Sequence, residues 1–278
     1  MSISTAFVRS SGNGDNIVCL HSSLGSSRQW CGLMAKMQDS YRITASDLYG
    51  YGDSPSWAEI QGFTLNDDVD LLAPVLDSMT GPIHLVGHSY GAAVSLKIAQ
   101  RYAQKISSLT VYEPVAFTTL FASADTQTVA HAIIRFKNEI LQDYQQGRAD
   151  SATRKFINYW SGLGAWEKLS IQQQAAMSAK IATVITNFEA IFAERNILSS
   201  LADLDIPTLC LYGEYSPGST LAISRLLGET LPNITLKAMP GMGHMGPITH
   251  SEAINDQIEG FIKSQTMQME SQQAQFAA

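Results

Sequence analysis

Gly87-His88-Ser89-Tyr90-Gly91 sets a serine between two glycines, each two residues away. It follows the apolar run Pro82-Ile-His-Leu-Val86, which reads as a strand. It precedes Tyr90 to Tyr102, a helical stretch rich in small and apolar residues. A turn from strand to helix this tight forces strained backbone angles on the serine. The flanking glycines let strand and helix approach without Cβ clashes. The strain exposes Oγ as a nucleophile, and the N–H that follows faces the negative oxygen that develops when a carbonyl is attacked. The alternative is a glycine-rich turn with an incidental serine, but the strand before and the helix after are the context a nucleophile needs.

The elements that must position Ser89 alternate along the chain. Ile17-Val-Cys-Leu20, Tyr41 to Ser46, Ser108-Leu-Thr-Val-Tyr112, Pro207 to Tyr212 and Ile234-Thr-Leu-Lys237 read as further strands. Helices are expected from Arg28 to Met37 and from Thr64, where Asp67 completes a capping box; Pro74 is expected to kink the latter. Strands separated by helices imply a parallel sheet, with ligands bound beyond the C-terminal ends of the strands. From about Thr118 to Ser200 the pattern is helical, with Ile133, Ile134, Phe136 and Ile140 on one stripe. The expected division is a core of residues 1–117 and 201–265, a helical insertion over 118–200 and a polar tail over 266–278 that frays or extends the last helix. Thr249 and Glu252 are expected to cap that helix, and Ile254, Ile258, Phe261 and Ile262 to form its apolar face.

Composition narrows the function classes. The 278 residues are 45% hydrophobic and 15% charged, with a net charge of −7. An acidic surface argues against nucleic acid or an anionic membrane as the main partner. Cys19, Cys31 and Cys210 form no Cys-x-x-Cys pair and read as reduced thiols, two of them in strands, which fits the cytoplasm. Met1 to Ala6 has neither a basic patch nor a long apolar stretch, so no signal peptide is expected, and no apolar run reaches the roughly 18 residues of a membrane span. With no metal-ligand cluster and no glycine-rich phosphate loop, no cofactor and no metal are expected. A homo-oligomer is left open.

Four motifs in order, Leu20-His-Ser-Ser-Leu-Gly25, Asp47-Leu-Tyr-Gly-Tyr-Gly-Asp-Ser54, Gly87-His-Ser-Tyr-Gly91 and Gly241-Met-Gly-His-Met245, resemble those of the α/β-hydrolase superfamily. The resemblance covers most of the chain except the helical insertion and the tail. It implies an α/β fold with a mainly parallel sheet of about eight strands, the insertion forming a lid. It implies His244 as the base that takes the proton from Ser89 and returns it to the leaving group. It also implies an oxyanion hole from the Tyr90 N–H and the Ser23 N–H, the Ser23 hydroxyl being available as a third donor. Ser22 stands where the commoner pattern has glycine, so the loop is expected to be reshaped. His88 reads as packing, His21 as orienting its loop, and Asp47 as fixing a turn.

The acid of the triad departs from the resembled pattern. Where Gly-x-x-Asp is usual, this chain reads Gly213-Glu-Tyr-Ser216. Asp203 and Asp205 precede the strand and lie at the wrong end of the sheet. Glu113 follows the strand ending at Tyr112, at the correct edge, and Pro114 is expected to keep it extended. Certain haloalkane dehalogenases of the superfamily resemble this in taking their acid from the same strand. Glu113 is therefore the expected acid; Glu214, or no acid at all, is the alternative, and Glu113 would then only line the lid junction. A serine nucleophile disfavours the dehalogenase and epoxide-hydrolase chemistries, which use aspartate. The expected function is a serine hydrolase of carboxylic esters working through an acyl-enzyme on small to medium, largely apolar substrates. Phe117, Phe121, Phe136, Tyr159, Trp160, Trp166 and Phe188 supply lid core and some pocket wall. Ser22, Phe117, Phe121 and Met245 are the expected substrate contacts. A C–C bond hydrolase of ring-cleavage products, a cofactor-free haloperoxidase activity and a ligand receptor on a hydrolase scaffold stay open.

Overall fold

A computed structural model of the chain describes residues 5–58, 60–195 and 197–277; Met1 to Ser4, within the N-terminal stretch expected to hold no signal peptide, lie outside them. Among the described residues one sheet contains seven strands: β1 (Val8–Ser11), β2 (Asp15–Leu20), β3 (Tyr41–Ser46), β4 (Ile83–His88), β5 (Ile106–Tyr112), β6 (Thr208–Gly213) and β7 (Ile234–Met239). Their order is β1-β3-β2-β4-β5-β6-β7, with β1 antiparallel to β3 and every other pairing parallel. The described residues thus give seven strands of the mainly parallel sheet of about eight that was expected. The sequence Val-Arg-Ser-Ser of β1 carries no apolar run, so this edge strand left no signal.

The central strands are buried on both faces, and alternate residues enter different layers. Ile17 and Cys19 of β2 pack with Leu33 and Met37 of α1 (Cys31–Met37) and with Ile254, Ile258 and Ile262 of the C-terminal helix (Ser251–Ala277). Val18 and Leu20 join the opposite layer, which holds α2 (Leu65–Ser78), α3 (Tyr90–Arg101) and the helix Gly218–Thr230. Thr64 and Asp67 form the expected capping box, and α2 continues past Pro74 to Ser78. The Thr249–Glu252 cap is not formed. Thr249 instead ends a short helix, Gly246–Thr249, where its hydroxyl donates to the Met245 carbonyl at 3.1 Å, one turn back within that helix. The last helix continues through the tail to Ala277.

Between β5 and β6 the described residues form no strand. They form the turn Phe117–Phe121 and helices α4 (Gln127–Gln145), α5 (Ala149–Ser161), α6 (Ile171–Ser178), α7 (Ile181–Ala193) and α8 (Ile197–Leu201). Ile133 and Ile140 of α4 are buried, with Ile134 and Phe136 half-buried beside them. Stacked rings hold the segment together: Phe117 lies 6.0 Å from Phe188 and 5.8 Å from Phe192, and Phe136 lies 4.1 Å from Tyr159. Among the described residues no helix is long and apolar enough to cross a membrane.

Strand register decides which loops meet. His88 pairs with Tyr112, and Tyr112 with Leu211, so β4, β5 and β6 deliver Ser89, Glu113 and Gly213 side by side at one edge.

Candidate active site

Ser89 caps α3 with φ 56° and ψ −114°. Its N–H donates to the Tyr112 carbonyl at 2.9 Å, and its own carbonyl accepts from the N–H groups of Ala92 and Ala93 at 3.1 Å. The two glycines are sterically required. A Cβ on Gly87 would lie 2.6 Å from the Ala92 Cα, and one on Gly91 would lie 2.5 Å from the carbonyl oxygens of Leu20 and His21.

Three side chains meet at this edge. The Ser89 hydroxyl donates to His244 Nε2 at 2.9 Å, and His244 Nδ1 donates to Glu113 Oε2 at 2.7 Å. The other oxygen of Glu113 accepts from the Gly213 N–H at 2.7 Å and from the Ser216 hydroxyl. The serine in the expected aspartate position therefore binds the carboxylate that reaches across from β5. Burial pushes the Glu113 carboxyl up, but the bond to His244 and its charge, with the donors from Ser216 and Gly213, outweigh burial and hold it below its ordinary value. An ionised acceptor on Nδ1 keeps the proton there and leaves Nε2 free to accept from Ser89.

Glu113 is not extended, as Pro114 had suggested; its φ is +47°. With this backbone the N–H of Glu113 donates to the Leu211 carbonyl at 3.0 Å while its carboxylate reaches Gly213 and Ser216. Among the described residues the non-glycine residues with positive φ are Leu24, Ser89 and Glu113. Each costs about 1–3 kcal/mol, and such strain persists where surrounding bonds over-determine it. Here all three lie at the same edge of the sheet.

The loop carrying His244 is held from below and from the side. Tyr112 donates its hydroxyl to the Gly243 carbonyl at 2.7 Å, and the Tyr215 N–H donates to the Met242 carbonyl at 2.8 Å. Trp160 of α5 covers the imidazole, with ring centroids 4.0 Å apart. Glu214, the alternative acid, points outward and accepts from the Gly241 N–H at 2.9 Å. Asp47 takes the N–H groups of Ser27 at 2.5 Å and Asp53 at 2.9 Å, fixing its turn. His21 spans two loops, donating to the Ser22 carbonyl at 2.7 Å and accepting from the Leu48 N–H at 3.1 Å.

His88 does more than pack. Burial, then the nearby His244, hold it well below the ordinary histidine range, so it is neutral. Its Nε2 donates to the His244 carbonyl at 2.8 Å, which leaves Nδ1 to accept from Gln29 Nε2 at 3.1 Å. Gln29 Oε1 in turn accepts from the N–H and hydroxyl of Ser22 at 3.1 and 3.2 Å. A continuous chain of bonds thus ties the His244 loop to the loop after β2. Gln29 offered no motif, so sequence reading missed it.

In the β2 loop the left-handed residue is Leu24, at φ 60°, two residues after the position where glycine was missed. A turn closed by the Gly25 N–H and the Ser22 carbonyl at 2.9 Å spares Ser22 itself. The Ser23 hydroxyl is not a spare donor to the cavity; it donates to Asn187 Oδ1 of α7 at 2.9 Å, where Tyr51 also donates at 2.6 Å. Tyr90 is the first residue of α3, so its N–H has no partner within the helix. Its hydroxyl is anchored on Asp68 at 2.6 Å, a carboxyl that burial pushes up to about 7.

Two cavities touch Ser89. One, of about 20 Å³, is walled by Val115, Phe117, Val184, Phe188 and Ile191, with Ser23 and Asn187 as polar edges. The other, of about 200 Å³, is bounded by His244, Ser22, Leu24, Met177, Met245 and Ile248 among others. Phe156 and Trp160 line both. Of the expected contacts, Ser22, Phe117 and Met245 lie on these cavities. Phe121 does not: it is 44% exposed and lines an outer groove with Thr118 and Leu198, because the turn Phe117–Phe121 directs its two ends to opposite sides. Phe156 and Asn187 were missed; their signal was helical spacing, four residues from Trp160 and three from Val184. Among the described residues no group of three or more His, Cys, Asp or Glu side chains is arranged to hold a metal ion.

A family model described as the alpha/beta hydrolase fold matches residues 15–251. The chain belongs to the alpha/beta hydrolase fold family. This hydrolase-fold chain is 24% identical over 271 residues to a pimeloyl-[acyl-carrier protein] methyl ester esterase of Pectobacterium carotovorum, covering 94% of this chain and 100% of that one. It is 20% identical to a putative 2-succinyl-6-hydroxy-2,4-cyclohexadiene-1-carboxylate synthase of Bacillus subtilis, covering 89% and 90%. Among solved structures it resembles MGS-M2, an alpha/beta hydrolase from a Medee basin deep-sea metagenome library, with TM-score 0.79, 20% identity and 93% and 94% coverage. It also resembles an enol-lactonase of Burkholderia xenovorans LB400, with TM-score 0.72, 16% identity and 93% and 96% coverage.

Proposed function

We propose that this chain hydrolyses carboxylic esters through an acyl-enzyme on Ser89, with His244 as base and Glu113 as the acid that orients it. The observation that carries the reading is the chain of bonds from the Ser89 hydroxyl through both imidazole nitrogens to a buried carboxylate. Ser89 attacks the ester carbonyl while its proton passes to His244 Nε2, and the N–H groups of Tyr90 and Ser23 stabilise the oxyanion. His244 then gives the proton to the departing alkoxide. Water, deprotonated by the same nitrogen, releases the acid and restores Ser89. The helices between β5 and β6 act as the lid that keeps bulk water from the intermediate. Relatives named as esterases support ester chemistry over the other reactions of the fold. The free thiols Cys19 and Cys210, both buried, suit a reducing compartment such as the cytoplasm.

Stopped-flow hydrolysis of 4-nitrophenyl acetate should release a burst of nitrophenol close to one equivalent per chain, followed by steady turnover. Folded protein that gives neither burst nor turnover would remove the esterase reading and leave a binding role for the cavity.

A further inference from the structure

We infer that the two cavities at Ser89 divide the ester between them, and that this hydrolase takes a short acyl group carried on a larger apolar alcohol. The inference rests on the esterase reading above and adds the substrate class. The assignment of sides follows from proton transfer. The departing alkoxide must receive its proton from His244 Nε2, so the leaving group lies on the histidine side of the serine. His244 lines only the larger of the two Ser89 cavities. The acyl group is left with the smaller, which Ser23 and Ser89 open onto and His244 does not.

Size then sets the preference. The acyl side, at about 20 Å³, is a tenth the size of the leaving-group side at about 200 Å³, so the shorter part of the ester belongs there. The leaving-group side, at about 200 Å³, exceeds the apolar cavity of about 150 Å³ that holds a benzene ring. The acyl side does not enlarge easily. Phe117 stacks on Phe188 at 6.0 Å and on Trp160 at 6.4 Å, and Phe117, Val184 and Phe188 are all buried. Forcing methylenes into such packing displaces rings that support one another. The lining of the larger cavity is mostly apolar, from Leu24, Ile157, Leu169, Met177, Met245 and Ile248, so its occupant is apolar too.

The test is kcat/KM for two ester series. With nitrophenol held constant, acetate should exceed butyrate by about tenfold or more and octanoate by still more. With acetate held constant, benzyl acetate should exceed methyl acetate by about tenfold. Val184→Ala, a mild change in the acyl wall, should raise butyrate relative to acetate; the wild-type series decides the matter if that variant fails to fold. Octanoate cleaved as well as acetate, or methyl octanoate cleaved faster than benzyl acetate, overturns the assignment while leaving the esterase reading intact. No turnover of any ester, with no labelling of Ser89 by a fluorophosphonate, overturns both.

Discussion

Ser89→Ala is expected to lower kcat on 4-nitrophenyl acetate by about a million-fold, with the thermal midpoint little changed. The loss is that large because the step has no substitute nucleophile. His244 cannot polarise an absent hydroxyl, and Glu113 touches the reaction only through His244. What remains is the stabilisation from the oxyanion donors and from binding, a residual of about 10³–10⁴ over water. The fold should persist because alanine keeps every backbone bond of the elbow, including the Ser89 N–H to the Tyr112 carbonyl at 2.9 Å. The positive φ of 56° strains alanine as it strains serine, so no new cost enters. Circular dichroism melts beside steady-state assays check both halves. Activity within tenfold of wild type would place the nucleophile elsewhere.

Glu113→Gln is expected to lower kcat by about 10⁴. The argument is one of tautomers. In the wild type an ionised oxygen accepts from His244 Nδ1 at 2.7 Å, so Nε2 carries the lone pair that Ser89 needs. Glutamine can keep its carbonyl on the Gly213 N–H and the Ser216 hydroxyl, the partners of Glu113 Oε1. Its amide nitrogen then faces Nδ1 as a donor, moves the imidazole proton to Nε2, and removes the base. The double variant Glu113→Gln, Ser216→Asp should recover part of the loss, because residue 216 already borders the carboxylate and is buried. A pH effect accompanies the change. The folded-state pKa of Glu113 is held below its ordinary value, so its stabilising contribution is present above that ordinary value and is lost as pH falls through the folded pKa. The glutamine variant should lose that part of the acid sensitivity. Near-normal turnover in Glu113→Gln would return the acid to another group.

Strands β2 and β4 were legible in advance because burial on two sides writes an unbroken apolar run, while the largely exposed edge strand β7 was legible from Ile234-Thr-Leu-Lys237 alone. The edge strand β1 was not, since Val-Arg-Ser-Ser holds one apolar residue and so carries no run. Ser89 and the turn around it could be read locally, for the glycines needed at positions 87 and 91 are themselves the signature. The placement of Glu113 beside Ser216 could be anticipated only through strand order, and its left-handed backbone could not: the local preference imposed by Pro114 yields where hydrogen bonds come from β6 and the loop after it, distant in the chain. Gln29, Asn187 and Phe156 act through partners distant in sequence and carry no local mark. Phe121 misled for the converse reason: aromatic character cannot reveal on which side of a short turn a ring emerges.

The claim on which the rest depends is that a carboxylate from β5 activates Ser89 through His244. The most direct measurement is the rate of covalent labelling by a fluorophosphonate, with the modified peptide mapped by mass spectrometry, in wild type and in Glu113→Gln side by side. The expected result is an adduct on Ser89 in both proteins, formed slower by orders of magnitude in the variant. An adduct on another residue, or equal rates at Ser89, would contradict it.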